Sequence, residues 1–460
     1  PANSADGVRH DQAAALSRPL EHGGGPLHIS TPVGEARMRN RMWGGAGLLL
    51  LVACASQAPA PVVVPAAPLV APASAVAGPA AAAPSPASVS GNGYAGAELA
   101  ANPTSSGKNA DLDAYLALLR RASCPAAVRR QPPGEVSIKA TPVPLQGLNP
   151  LRRKLDKLSF VAGFHLTSAS ERFGGLSGLD VLDDGNLLAV SDQGDFVWID
   201  LAKDGATPVA ARVSAMRDAR GDLLGAKAEG DAEGLAVNNG LALVSYERNH
   251  RVLAFDLAAC GAAARGAPIT LGGHSAQLAQ AFAASRIEVS GNSGSEPLGV
   301  TTDWYLLAGL ETKAGEASPL SARPLEAGSD FDLRIGQGLP EFVGLDVLED
   351  GDDLRAFSLH RARNALSSNV ITIAETRLTR APGPMNLPRR TPGQIEERSR
   401  YRFAAGETRK LADMSLLLTI DNFEGIAAKE MPGGRVRLYV ISDNNFSASQ
   451  RTLLMVFDLE

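Results

Sequence analysis

The chain has 460 residues, of which 20% are charged, 5% are aromatic and 47 are glycine, with a formal net charge of −5. That length exceeds one ordinary domain, and the composition fits a globular body joined to low-complexity sequence. The mild acidity excludes nucleic acid as a partner, because a protein that grips a phosphate backbone needs a net basic face.

Residues 1–37 show neither apolar periodicity nor a targeting pattern and read as an upstream segment without structure of its own. From Met38 the run MRNRMWGGAGLLLLVACASQ places Arg39 and Arg41 before an apolar stretch that is too short to span a bilayer stably. Residues 38–54 are therefore predicted to be an export signal. Its end, Leu51-Val52-Ala53-Cys54, resembles a bacterial lipobox, whose cysteine is lipidated and becomes the new N-terminus. Ala55 stands where an aspartate would favour retention at the inner membrane. The expectation is an outer-membrane lipoprotein facing the periplasm, or a secreted protein, whose membrane contact runs through Cys54.

Residues 55–90 contain eight prolines and no charged side chain, so they cannot pack a core. They are predicted to form an extended, semi-rigid tether reaching on the order of 100 Å, within a Pro/Ala-rich disordered linker over 55–107. Residues 108–157 hold a short helix and a lead-in. Asn109 or Asp111 caps the helix, Leu112, Tyr115, Leu116 and Leu119 form its apolar stripe, and Pro125 stops it. Cys124 and Cys260 would meet an oxidising periplasm, where they are free to pair; a disulfide and two separate thiols both stay open.

From residue 158 to the end, short β-rich runs alternate with Gly, Asp and Asn, and only 275–284 has helical periodicity. The runs repeat. Ser177-Gly-Leu-Asp-Val181 leads into LLAVSDQGDFVWIDL, and Glu233-Gly-Leu-Ala-Val237 leads into LALVSYERNHRVLAFDL. Further units begin at Glu296, Val343 and Glu424, giving spacings of 56, 63, 47 and 81 residues. A unit of this kind alone leaves an open edge and an uncovered face, and stacking the units around an axis hides both. The fold class is thus all-β, a β-propeller over 158–460 with five or six blades. The sixth would combine the strand at 158–166 with 374–415.

Aligned on the Gly-Leu step, Ser177, Glu233, Glu296, Val343 and Glu424 share one position, just before the first strand of each unit. A second shared position, 13 to 18 residues further on, holds Asp192, Glu247, Glu311, His360 and Asp443. Equivalent positions of successive blades lie on a circle, so these acids are expected to converge at one mouth of the central channel. Converging carboxylates repel unless a cation neutralises them, which suits Ca²⁺, a hard ion that also polarises phosphoryl or acyl oxygens. Glu233, Glu296 and Glu424 are assigned to catalysis and Asp192, Glu247, Glu311 and Asp443 to the metal. Arg248, His360 and Arg361 are assigned to an anionic substrate.

The segments FGGLSGLDV, AEGLAV and NFEGIAAKE, with LLAVSDQGDFVWIDL, LVSYERNHRVLAFDL and LYVISDNNFSASQRTLLMVFDL, resemble the phytase-like esterase family over about two thirds of the chain. The resemblance implies an exported β-propeller and, through kinship with propeller phytases, calcium-assisted phosphate-ester hydrolysis. It carries over Glu233, Glu247, Glu296, Glu311, Glu424 and Asp443 as the family's recurring acids. The chain departs from the pattern at His360 and at Pro297. A serine-esterase elbow G-x-S-x-G, H-E-x-x-H, C-x-x-C and a Walker loop are all absent from the sequence. Arginines among Pro and Gly between 377 and 402 offer a loop that could hold an anion. Two readings follow: an exported, metal-dependent hydrolase of a small phosphorylated or other ester substrate, and a non-catalytic propeller lipoprotein that binds a cell-envelope protein or glycan.

Overall fold

A computed structural model describes residues 110–460 except 226, 249, 270–293, 327–330, 364–368 and 383–400. The upstream segment, the export signal with Cys54, the tether to residue 107 and the helix expected at 275–284 all lie outside the described residues.

Helix α1 (Ala110–Ser123) opens the described part, followed by strands β1 (Gly134–Val136), β2 (Ile138–Pro142), β3 (Lys154–Leu155) and β4 (Leu158–Ser168). Four-strand units come next. The first is β5 (Leu176–Val181), β6 (Leu187–Ser191), β7 (Asp195–Leu201) and β8 (Pro208–Ala215). A one-turn helix α2 (Lys227–Gly230) leads to β9 (Ala232–Asn238), β10 (Leu241–Tyr246) and β11 (Arg251–Asp256), and after α3 (Leu257–Cys260) β12 (Ala267–Pro268) completes the second. The third is β13 (Leu298–Val300), β14 (Tyr305–Gly309), β15 (Ser318–Pro324) and β16 (Leu333–Ile335). The fourth is β17 (Glu341–Asp350), β18 (Asp353–Arg363), β19 (Asn369–Pro382) and β20 (Tyr401–Met414), and the last is β21 (Asn422–Met431), β22 (Arg435–Asp443) and β23 (Thr452–Leu459).

Each unit is an antiparallel meander, and the inner strands β5, β9, β13, β17 and β21 contact one another in cyclic order. This is a five-bladed propeller. The sixth blade does not form, for two reasons. The strand at 158–168 pairs with the end of the chain, Leu166 opposite Thr452 and Leu158 opposite Leu459, so it zips the fifth blade and closes the ring. The residues of 374–415 that are described extend β19 and β20, the outer hairpin of the fourth blade.

The core follows from the period of two along each strand. Leu187 and Ala189 of β6 face the fifth blade, whereas Leu188 and Val190 face the second. Both faces of a blade are therefore apolar, and five buried clusters fill the five blade interfaces. Leu112, Tyr115 and Leu119 of α1 cap the cluster between the second and third blades, as the helical stripe predicts. Cys124, just after that helix, forms a disulfide with Cys260 at a Cα–Cα distance of 5.6 Å. The lead-in is thus fastened to the second blade.

Two aspartates join inner strands across blade boundaries. Asp180 Oδ2 accepts from Val237 N at 2.6 Å, and Asp346 Oδ2 accepts from Ala428 N at 2.7 Å. Burial pushes the Asp180 carboxyl well above the usual range, with Asp346 adding to it, and pushes Asp346 up to about 7. A carboxyl whose pKa is higher folded than unfolded gives stability that is fully present below the unfolded value and falls as pH rises toward the folded one. For Asp346 that window runs from about 4 to about 7. Asp346→Asn keeps an acceptor for Ala428 N and removes the charge. Thermal melts from pH 5 to pH 8 should show a Tm that declines less in the variant than in the parent; equal slopes would remove Asp346 as a source of the pH dependence.

Candidate functional site

The repeated step before each inner strand is a β-bulge. Pairing jumps from Leu176 to Gly178, from Ala232 to Gly234, from Phe342 to Gly344 and from Phe423 to Gly425. Ser177, Glu233, Val343 and Glu424 are the extra residues, which a bulge re-aims out of the ladder. In the third blade the ladder begins later, at Leu298, and Glu296 stands at the matching place. The glycine after the bulge is set by the neighbouring backbone. A Cβ on Gly234 would lie 1.9 Å from the Glu296 carbonyl oxygen, and one on Gly344 would lie 2.3 Å from that of Glu424. Gly178 and Gly425 lie in the same way against the Glu233 and Ser177 carbonyl oxygens, so at four of the five blade boundaries the residue at one blade's bulge position rests on the glycine of the blade beside it.

The second ring begins where β6, β10, β14, β18 and β22 approach the same mouth. Asp192 N bonds Gly175 O at 2.9 Å, Glu247 N bonds Asp231 O at 3.0 Å and Glu311 N bonds Gly294 O at 3.2 Å. In the ladders, Arg361 is opposite Glu341 and Asp443 is opposite Asn422. The matching residue of the fourth blade is thus Arg361, and the placement of His360 on the ring is corrected. His360 is buried against Phe342 and bonds the Pro340 carbonyl at 3.1 Å and Ser358 Oγ at 3.0 Å. Burial pushes its pKa down to about 4, so it is a neutral core residue, and it is not among the residues that line the mouth.

The mouth opens into a cavity of about 570 Å³. Its lining brings together all seven predicted acids, Asp192, Glu233, Glu247, Glu296, Glu311, Glu424 and Asp443, and also Arg248 and Arg361. Lys227, Glu341, Asn422 and Asn445 join them, unforeseen from the sequence. Asp231 also belongs to the cluster. A signal for three of these residues was present: Asp231, Glu341 and Asn422 each stand two residues before a bulge residue. Lys227 and Asn445 carry no such pattern. Cys124 and Cys260 are not among the cavity's lining residues. Arg377 of the arginine-rich segment binds Asp350 and Asp353 beside the β17–β18 turn, at the end of the blade remote from Arg361. Arg389, Arg390, Arg398 and Arg400 lie outside the described residues.

Crowding and burial set the electrostatics. Burial pushes Glu233 and Glu296 well above the usual carboxylate range, with Glu424 adding to the first and Glu311 to the second. Glu247 is pushed up to about 7 by burial and then by Asp231, and Asp443 to about 8 by burial and then by Glu424. Cationic side chains offset part of the charge. Arg361 reaches Glu311 Oε1 at 2.9 Å and Asn422 Oδ1 at 2.7 Å, and also bonds Glu424. Lys227 Nζ is 2.9 Å from Asp192 Oδ2 and 3.6 Å from Asp231 Oδ1, while Arg248 Nε donates to Asp231 Oδ2 at 2.6 Å.

With eight lining carboxylates against three cations, the cavity remains acidic. Two triads, Asp231 with Glu233 and Glu247, and Glu247 with Glu296 and Glu311, each place one oxygen per residue within 4.8 Å of the others. Such sets of hard oxygen donors fit a calcium-sized cation. Asp192 Oδ1 and Ser177 Oγ, both buried, have no hydrogen-bond partner among the described residues.

The family profile described as phytase-like, esterase-like activity of phytase, matches residues 171–446, more than half of the chain. No curated protein matches by sequence. Among solved structures the chain is similar to the PQQ-bound form of an aldose sugar dehydrogenase from Streptomyces coelicolor, at 13% identity, 71% of this chain, 100% of that one and a TM-score of 0.31. It is also similar to the PQQ domain of pyranose dehydrogenase from Coprinopsis cinerea, at 10% identity, 72% and 99% coverage and a TM-score of 0.33. A third is the calcium structure of a family AA12 carbohydrate-active enzyme from Trichoderma reesei, at 11% identity, 72% and 99% coverage and a TM-score of 0.30. With the family profile spanning the four bulges, Glu296 and both rings of the mouth, the chain belongs to the phytase-like family.

Proposed function

We propose that this protein is a calcium-dependent hydrolase of small phosphate esters, working in the bacterial cell envelope and held to the outer membrane by lipid on Cys54. The observation that carries the reading is the pair of carboxylate triads that share Glu247 at the mouth of the cavity. Bound calcium would neutralise these acids and act as a Lewis acid toward a phosphoryl oxygen. Asp231, Glu233, Glu247, Glu296 and Glu311 would hold it. Arg361, Arg248 and Lys227 line the same cavity and would orient the ester's anionic oxygens. Asp443, held protonated near neutrality, is suited to give a proton to the departing alcohol.

Calorimetric titration of the protein with calcium, beside hydrolysis of p-nitrophenyl phosphate, tests the reading. The parent should bind and turn over, and Glu247→Gln should weaken calcium binding on the order of 100-fold, because affinity follows the number of charged ligands. No heat and no turnover in the parent would leave an interaction module whose acids are offset in part by its own lysine and arginines.

Proton release accompanies binding when ligands must ionise. Glu247 is raised to about 7, and Glu233 and Glu296 stand well above the usual carboxylate range, so calcium affinity should climb from pH 6 to pH 8. A Kd constant over that range would separate these acids from the metal.

Lys227 occupies oxygens of Asp192 and Asp231 and so competes with an incoming cation. Lys227→Gln should tighten calcium binding about tenfold. Lys203→Gln, which removes the same charge from the β7–β8 turn at the far end of the blade, should leave the affinity within twofold.

A further inference from the structure

Six large apolar side chains are well exposed among the described residues, and four of them crowd onto two loops. Leu148 and Leu151 are 88% and 85% exposed, and Leu416 and Leu417 are 56% and 67% exposed. The loops run side by side. Thr419 donates to the Leu145 carbonyl from its amide at 2.9 Å and to the Pro144 carbonyl from its hydroxyl at 2.5 Å, and Lys157 N bonds Leu411 O at 3.0 Å.

Neither loop is loosely placed. Leu145 and Leu155 at the roots of the first, and Leu411 and Met414 before the second, are buried in the same core cluster. Turn bonds from Asn149 N to Gln146 O, from Arg152 N to Asn149 O and from Leu418 N to Ser415 O fix the tips. The leucines are therefore held out into solvent by a firm scaffold, and apolar surface gathered in this way marks an interaction site.

The charge beside them selects the partner. Residues 146–157 carry Arg152, Arg153, Lys154 and Lys157 against the single acid Asp156. Glu460 takes up Lys154, and the Arg153 guanidinium lies 5.4 Å from the Phe160 ring. Arg152, Arg153 and Lys157 remain to meet negative charge, a local reversal of the chain's net acidity. Leucines flanked by arginine and lysine match the boundary between headgroups and acyl chains of an anionic bilayer, with leucines sunk into the boundary and the cations on lipid phosphates. We infer that these two loops dock the propeller on an anionic lipid surface. The contact is reversible, since few side chains make it.

Hydrogen exchange measured by mass spectrometry on the full chain, with vesicles of phosphatidylcholine alone or with about one third phosphatidylglycerol, reads the contact locally. Amides of 146–157 and 411–420 should slow in the phosphatidylglycerol vesicles. A variant carrying Leu148→Ser, Leu151→Ser, Leu416→Ser and Leu417→Ser should keep the parent's Tm and need at least tenfold more lipid for the same protection. Both proteins share residues 1–109, so any membrane affinity there is common to both. Unchanged exchange in these loops overturns the inference. Protection that appears without vesicles and grows with protein concentration overturns it in favour of a second copy of the chain.

Discussion

The site depends on the close approach of neighbouring inner strands at the bulges. Where Gly234 passes beneath the Glu296 carbonyl and Gly344 beneath that of Glu424, a side chain on the glycine has no room. The bulge and the glycine act together: one turns a side chain out of the ladder, and the other lets the next blade come close enough for the turned-out groups to share one small space. Four such bulges, with Glu296 at the matching place of the third blade, put Ser177, Glu233, Glu296 and Glu424 around a channel that also holds Val343.

Such convergence is costly for the fold, since buried like charges raise one another's pKa and favour protonation. The protein offsets part of that cost internally. Arg361 replaces an acid in the second ring and bonds two others, and Lys227 and Arg248 take up Asp192 and Asp231. What remains is an acidic cavity with an orphaned carboxylate oxygen on Asp192. The same arrangement that destabilises the apo-fold suits it to a divalent cation, which is why stability, proton binding and the proposed chemistry are linked through the same carboxyls.

Much of this was legible from residue order. The repeat of Gly-Leu steps announced the propeller, the acids before them announced one ring, and the strand-end acids announced most of the other. The second ring failed at one place, and the reason is geometric. The hairpins of the five blades differ in length, so counting from the glycine does not fix a position on the return strand. An error of one residue exchanges the two faces of a strand, which is how His360 was placed where Arg361 belongs. The strand at 158–168 was visible as a strand, but its partner at the end of the chain, some 290 residues away, was not.

The sequence by itself determined what is local and repeated: the class of fold, the strands with their two apolar faces, the helix before Cys124 and the acids of each unit. These are properties of neighbouring residues, and the periods of helix and strand express them directly. Only the tertiary structure decided the number of blades, the pairing of Cys124 with Cys260, the place of Arg361 instead of His360 on the second ring, the entry of Lys227 and Asp231 into the mouth, and the meeting of Leu148 and Leu151 with Leu416 and Leu417. Each depends on ring closure and on strand register, which bring together segments far apart in the chain, and no local pattern encodes which distant segments will meet.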